Sequence, residues 1–153
     1  MDLKLFILTF ILGGASVFFV FGLNLYFLDK IPFYLNGNIV NDFLYCFLNI
    51  GIVEELAKLI PFVFIYFLFK KEITEPMDFL IYISISALGF SAVENSIYFY
   101  KHGPDIINGR AILATVGHMF DTSLIAYGII RFKYYPKKQS LLIIIWFFIK
   151  VCG

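Results

Sequence analysis

Long apolar runs separated by short polar stretches dominate this chain. An α-helix needs about 20 apolar residues to cross the hydrocarbon core of a bilayer. Four runs reach that length, at Leu5–Leu28, Phe43–Phe69, Phe79–Tyr100 and Ala111–Ile130. A fifth run, Ser140–Val151, is too short to span. The pattern therefore predicts an all-α, polytopic transmembrane helix bundle with four full spans and a truncated fifth.

The breaks between the runs complete this outline. Turn-forming residues predict loops over 29–42 and 101–110. Small residues from Gly13 to Ser16 interrupt the first run and would let another helix approach closely. Because no repeat or boundary is visible, 1–153 is predicted to be a single integral membrane domain. The shortness of the last run favours further C-terminal helices beyond it, with an interfacial segment as the alternative.

Composition agrees with a membrane location. Hydrophobic residues make up 61% of the chain and charged residues 15%, whereas soluble domains carry about 25% charged residues. The net charge of +1 gives no reason to expect nucleic acid as a partner. The lipid bilayer is therefore the predicted environment.

Basic residues between the runs predict an orientation, since cytoplasmic flanks carry an excess of Lys and Arg. Seven lie on the side of the N-terminus and three on the other side. The first set is Lys4, Lys70, Lys71, Arg131, Lys133, Lys137 and Lys138, and the second is Lys30, Lys101 and Arg110. The N-terminus and the 131–139 loop are therefore predicted to be cytoplasmic.

Charged residues inside the second run need an explanation. Glu54, Glu55 and Lys58 lie where hydrocarbon is expected, and a charge near the middle of a membrane helix costs about 2.5–3.5 kcal/mol on insertion scales. Lys58 is four residues after Glu54 and three after Glu55, so either acid is within its reach. The i, i+4 spacing favours Glu54, yet we expect Lys58 to pair with Glu55 and to leave Glu54 as the general base. A structural ion pair is the alternative interpretation.

Unusual polar residues in the next two runs fall at the same depth. Glu54 and Glu94 each lie 16 residues from the cytoplasmic end of their runs, and His118 lies 13 residues from its own. At 1.5 Å per residue these depths are about 24, 24 and 20 Å. Unrelated polar residues would not be expected to share one layer, so we expect the three side chains to converge.

The formal charge of this layer predicts a shared proton or a bound cation. Its ionisable side chains carry four negative charges and one positive charge, from Glu54, Glu55, Glu94, Asp121 and Lys58. Such an excess cannot persist unrelieved in hydrocarbon. Either carboxylates share protons or a cation lies among them. Carboxylates with one imidazole suit a divalent metal such as zinc.

Two further polar residues, Asn95 and Thr122, border the layer. Asn95 is more typical of an interhelical hydrogen bond than of catalysis. Asp121 and Thr122 follow His118 by three and four residues, and Asp121 is positioned to orient the imidazole. His118 alone would be interpreted as a satisfied core histidine, but the coincidence in depth favours a functional site.

Three ordered motifs in these runs resemble the PrsW family of intramembrane proteases, which is related to the CAAX prenyl endopeptidase and bacteriocin-processing superfamily. The EExxK motif of that family is matched by EELAK at 54–58, and its FxxxE motif by FSAVE at 90–94. Its histidine in the following helix is matched by His118. The resemblance covers 49–128. Where relatives often have Asn or Asp four residues after the histidine, this chain has Thr122, and Asp121 lies one residue earlier.

The resemblance implies an all-helical fold, peptide-bond hydrolysis and location in a prokaryotic plasma membrane. Glu54 or Glu55 would take a proton from water, while Glu94 and His118 would hold a divalent metal or stabilise the oxyanion. The expected substrate is a membrane-anchored protein that is cut near the extracytoplasmic leaflet.

Two other functions use the same polar layer. An ion or proton transporter subunit also places carboxylates, Lys and His inside the membrane, and would be recognised by a flux that depends on them. A non-catalytic scaffold would use the layer for helix pairing, so that alanine substitutions would harm assembly first. A membrane-embedded endopeptidase is the favoured interpretation, because the motifs agree in order and spacing.

Overall fold

The computed structural model describes residues 2–27 and 35–134, apart from the side chains of 105–108 and 110. All regular structure in this part of the chain is helical. The helices are α1 (Leu3–Phe27), α2 (Ile39–Tyr45), α3 (Ile52–Leu68), α4 (Pro76–His102) and α5 (Pro104–Tyr134). A π-helical segment, Cys46–Gly51, joins α2 to α3. The predicted all-α class is therefore confirmed.

Within the described residues, three helices are long and apolar enough to cross a membrane, at Leu3–Tyr26, Pro76–His102 and Ala111–Tyr134. Helix α3 has 17 residues and carries the charged cluster. It continues the helical path of α2 and the π-helical segment, whose junctions keep helical dihedral angles. The count of four full spans therefore stays a prediction. The fifth run, Ser140–Val151, lies outside the described residues.

The predicted loop over 29–42 is too long, because a helix begins inside it. The Asn38 side chain accepts hydrogen bonds from the backbone N–H groups of Val40 and Asn41, and so caps α2. Asp42 in the first turn accepts hydrogen bonds from the backbone of Asn36 and Gly37. Polar residues that indicate a turn are also the residues that start helices, which explains the error.

The predicted loop over 101–110 is also too long. Gly103 alone separates α4 from α5, with a positive φ of 79° that glycine adopts without strain. Pro104 then opens α5, where its missing N–H costs nothing and its fixed φ suits the first turn. The Gly-Pro pair is thus a tight corner between two long helices.

Helices α1 and α4 approach each other through glycine. A Cβ added at Gly13 would collide with the backbone of Ser86, and one added at Gly89 would collide with the backbone of Phe10. Gly14 lies against Gly89 and Val93 in the same contact. The close approach expected at the small residues of the first run is therefore confirmed, and its partner is α4.

Replacing Gly13 by valine should lower the free energy of unfolding by about 1–3 kcal/mol, the usual cost of overpacking. Gly22→Val is the matched control, because it lies on the same helix and its Cβ would meet nothing within 4 Å. Unfolding of both variants in detergent measures the difference. Equal losses in the two variants would show that the α1–α4 contact does not set the cost.

Candidate active site

Lys58 lies at the centre of the polar layer and is fully buried. Its Nζ is 2.6 Å from Glu55 Oε1 and 2.8 Å from His118 Nδ1. Glu54 Oε2 is farther away, at 3.7 Å, and the ring of Phe90 lies below the ammonium at 4.8 Å. One cation thus contacts side chains from α3, α4 and α5.

His118 links this cation to Glu94 of the FxxxE motif. Its Nε2 lies 3.0 Å from Glu94 Oε2, and its ring meets Phe90 edge to face at 5.7 Å. A lysine ammonium can only donate hydrogen bonds, so Nδ1 is the acceptor from Lys58. A neutral imidazole then carries its proton on Nε2 and donates it to Glu94.

Matched depth predicts that Glu54, Glu94 and His118 converge, and the structure confirms it. One ligand atom from each residue lies within 4.8 Å of the other two. The three come from α3, α4 and α5, so the cluster exists only in the folded bundle. Two carboxylates and one imidazole could hold a divalent ion, since catalytic zinc sites use three protein ligands drawn from such groups and keep one open position.

A metal at these three residues would change the hydrogen bonds just described. Coordination through Nε2 would move the proton of a neutral imidazole to Nδ1, and Nδ1 could then no longer accept a hydrogen bond from Lys58. Metal-bound histidines ordinarily donate their second N–H to an acceptor. The donor set therefore fits a metal, while Lys58 favours the arrangement in which His118 donates to Glu94.

The two neighbouring glutamates have different surroundings. Glu55 is 2% exposed, with Oε1 on Lys58 and Oε2 accepting a hydrogen bond from Thr122 at 2.9 Å. Glu54 has 18% of its side chain exposed and lines a cavity. The expected pairing of Lys58 with Glu55 is confirmed, and Glu54 is the more exposed of the two acids.

The cavity has a volume of about 280 Å³ and lies between α1, α4 and the α2–α3 path. Both Glu54 and Glu94 reach its surface. The other lining residues are Val17, Val20, Phe21, Asn24, Tyr45, Ile50, Phe90, Ile97, Tyr98, Lys101 and His102. Sequence reasoning missed the contribution of α1, because its lining residues are part of an almost continuous apolar run.

The bordering polar residues have separate partners. The Asn95 amide donates to Ser91 at 3.2 Å on its own helix. It also donates to Thr115 at 3.0 Å on α5, which is the interhelical contact expected of it. Asp121 does not orient His118, because Lys58 and Glu94 occupy the two ring nitrogens. Asp121 is half-buried and close enough to Glu55 and Lys58 for electrostatic interaction.

Sequence reasoning also missed how the backbone near Lys58 is held. The buried Ser86 hydroxyl donates to the Lys58 carbonyl oxygen at 2.6 Å. The small residues of the third run were a signal of close packing, but they did not identify the partner. The π-helical segment that ends at Gly51, three residues before Glu54, leaves no periodic signature in an apolar run.

Comparison with known proteins agrees with this geometry. The family model described as PrsW family intramembrane metalloprotease matches residues 2–152. A protein named Protease PrsW from Geobacillus kaustophilus is 29% identical, and one from Clostridioides difficile is 32% identical; each match covers 61% of this chain and 41% of the relative. A third, from Oceanobacillus iheyensis, is 28% identical over 64% of this chain and 42% of the relative.

The chain spans about two fifths of the length of these curated relatives. No solved structure gives a significant match. The family match extends beyond 49–128, where the motif resemblance lies, to nearly every residue. The chain belongs to the PrsW family of intramembrane metalloproteases.

Proposed function

We propose that this chain carries the active site of a membrane-embedded endopeptidase that hydrolyses a peptide bond with a water activated by Glu54. The observation that supports it most strongly is the convergence of Glu54, Glu94 and His118 within 4.8 Å beside a cavity that two of them line. A polar cluster of purely structural use would have its acids paired and enclosed, as Glu55 is.

Glu54 is assigned as the general base. It borders the cavity, and its separation of 3.7 Å from Lys58 leaves it less tightly paired than Glu55. A carboxylate within hydrogen-bond reach of a bound water can remove its proton as the water attacks the carbonyl carbon. Glu55, with both oxygens occupied, holds Lys58 in place.

His118 is assigned either to stabilise the carbonyl oxygen of the scissile bond or to protonate the leaving amine. Lys58 donates to Nδ1, so the Nε2 proton faces Glu94 and the reacting groups. From that position an N–H can stabilise the negative charge that develops on the carbonyl oxygen, or protonate the departing nitrogen. Positive charge from Lys58 behind the ring strengthens this N–H as a donor.

With a divalent metal bound, Glu94 and His118 would hold it in place of that N–H group, with Glu54 close enough to share it. When bound there, such an ion supplies Lewis-acid polarisation of the scissile carbonyl. The proposed substrate is a membrane-anchored protein. Because the site lies toward the Lys101 end of α4, we place the cut near the extracytoplasmic leaflet of a prokaryotic plasma membrane.

The direct test is cleavage by the purified protein in lipid vesicles. Single-span peptides of varied sequence are added, and products are identified by mass spectrometry before and after treatment with a chelator and then zinc. We expect cleavage close to one end of the span, lost on chelation and restored by the metal.

A pH-sensitive dye in the same vesicles tests the transporter alternative. A Glu54-dependent proton flux without any cleavage would favour it.

The orientation of the protein has its own prediction. Cysteine at Gly109 should react with an impermeant reagent from outside the cell, and cysteine at Lys71 should not, because the basic bias places Lys71 in the cytoplasm. Both positions are exposed, and the native cysteines are first replaced by serine. Labelling of the Lys71 position alone would reverse the topology and move the cut to the other leaflet.

A further inference from the structure

Faces of α1 and α4 form two walls of the cavity beside Glu54 and Glu94, and Tyr45 and Ile50 contribute to the third. On α4 its lining residues recur at helical spacing, so one stripe contains Phe90, Glu94, Ile97, Tyr98 and Lys101. On α1 the matching stripe contains Val17, Val20, Phe21 and Asn24. The two faces extend from the polar layer toward the ends of both helices, which gives the cavity an elongated shape.

The two ends of the cavity differ in burial and in charge. Val17 and Phe90 are buried at its closed end, next to the acids. Lys101 and His102 are exposed at the other end, which we call the mouth. The Lys101 ammonium lies 5.8 Å from the centre of the Phe21 ring on α1, so it extends across the mouth and is held there by a cation–π contact.

The distance between the acids and this cation corresponds to a short length of peptide. Glu94 and Lys101 are seven residues apart on one helix face, which is about 10.5 Å along the axis. An extended chain advances about 3.3 Å per residue, so about three residues separate a carbonyl at the acids from a side chain at the mouth. The cavity thus has carboxylates at its closed end and an ammonium at its mouth. This charge distribution suits a peptide whose acidic group lies away from the scissile bond.

We propose that Lys101 is a specificity-determining residue that binds an aspartate or glutamate of the substrate about three residues from the scissile bond, on the side of the mouth. This inference rests on the proposed peptidase function. The substrate carboxylate would either displace the Lys101 ammonium from the Phe21 ring or bind it while the ring contact remains. The peptide between this carboxylate and the scissile bond would lie along Ile97 and Tyr98. A lysine that only anchors the helix end in the headgroup region would impose no such preference.

The test uses single-span peptides with amidated C-termini, in which one position outside the membrane is Asp, Ala or Lys. A photoreactive residue beside it reports where the peptide binds, and mass spectrometry reports the bond that is cut. The protein is tested as wild type, as Lys101→Glu, and as Lys71→Glu. Lys71 is the control because it is an exposed lysine that does not line the cavity.

With wild type and Lys71→Glu, Asp about three residues from the cut should raise cleavage by about two- to fivefold over Ala, the effect of a partly exposed ion pair. Lys101→Glu should reverse the order, so that Lys becomes the preferred residue at the same position. Cross-links should map to the Ile97–Tyr98 face of α4.

Three outcomes would overturn one or both proposals. Cleavage with the same preference in Lys101→Glu would exclude Lys101 as the specificity residue and leave the peptidase intact. Cleavage with cross-links outside the cavity would exclude this binding path. Cross-links in the cavity that depend on Lys101, without any cleavage, would support recognition of the acid and refute the peptidase.

Discussion

Substituting Glu54 or Glu94 by glutamine, or His118 by alanine, should reduce peptide cleavage at least about 100-fold, because each removes a group that moves a proton or would bind the metal. Glutamine keeps the volume of the side chain and some hydrogen bonding but cannot accept a proton from water. We expect all three variants to be inserted and folded, since Glu54, Glu94 and His118 are only partly buried. Initial rates in vesicles, normalised to folded protein, measure the effect.

Two further variants test whether the loss of cleavage is specific to these three residues. Glu72→Gln changes an exposed glutamate outside the site and should leave the rate unchanged. Asp121→Asn should have a small effect, since Asp121 does not hold the imidazole. Full cleavage by the Glu54, Glu94 and His118 variants would exclude the proposed site, whatever the peptide used.

The second large effect is on stability. Lys58→Met should lower the free energy of unfolding by about 3 kcal/mol or more, because removal of one partner strands the charge of the other in a buried pair. Glu55 would be left 2% exposed with Thr122 as its remaining hydrogen-bond partner. His118 would also lose the donor at Nδ1, so cleavage should fall as well.

The double variant Glu55→Met/Lys58→Met separates the two causes. Replacing both members of a buried pair by apolar residues of similar volume is often neutral or stabilising, so the double variant should unfold at higher denaturant than Lys58→Met alone. Chemical unfolding in detergent micelles measures both. If the double variant were no more stable than the single one, Lys58 would act mainly through its other contacts.

These expectations show what the sequence could and could not predict. Depth along a helix follows from residue counting, because the rise per residue is constant. The layer of Glu54, Glu94 and His118 was therefore predictable without a partner or a fold. The family motifs identified the same three positions.

Rotation of a helix about its axis was harder to predict. In an apolar run every face is equally hydrophobic, so nothing indicated that Val17 to Asn24 would line a cavity or that the π-helical segment would precede Glu54. From the sequence, the only role predicted for Lys58 was to neutralise one of the two glutamates. Its contact with His118 depends on the packing of α3 against α5, and such contacts between distant residues leave no local signal.

The glycine contact between α1 and α4 has a consequence for the permeability of the membrane. Gly13 lies against the backbone of Ser86, one turn before Val17 on α1 and one turn before Phe90 on α4. There is therefore no room for water between the two helices at that level. The proposed hydrolysis needs water at Glu54, but a hydrated path across the bilayer would let protons flow down the membrane potential, which is worth about 2.3 kcal/mol per charge at 100 mV. The backbone contact closes the space between α1 and α4 at the inner end of the cavity. Between these two helices, water would therefore reach the acids only from the mouth.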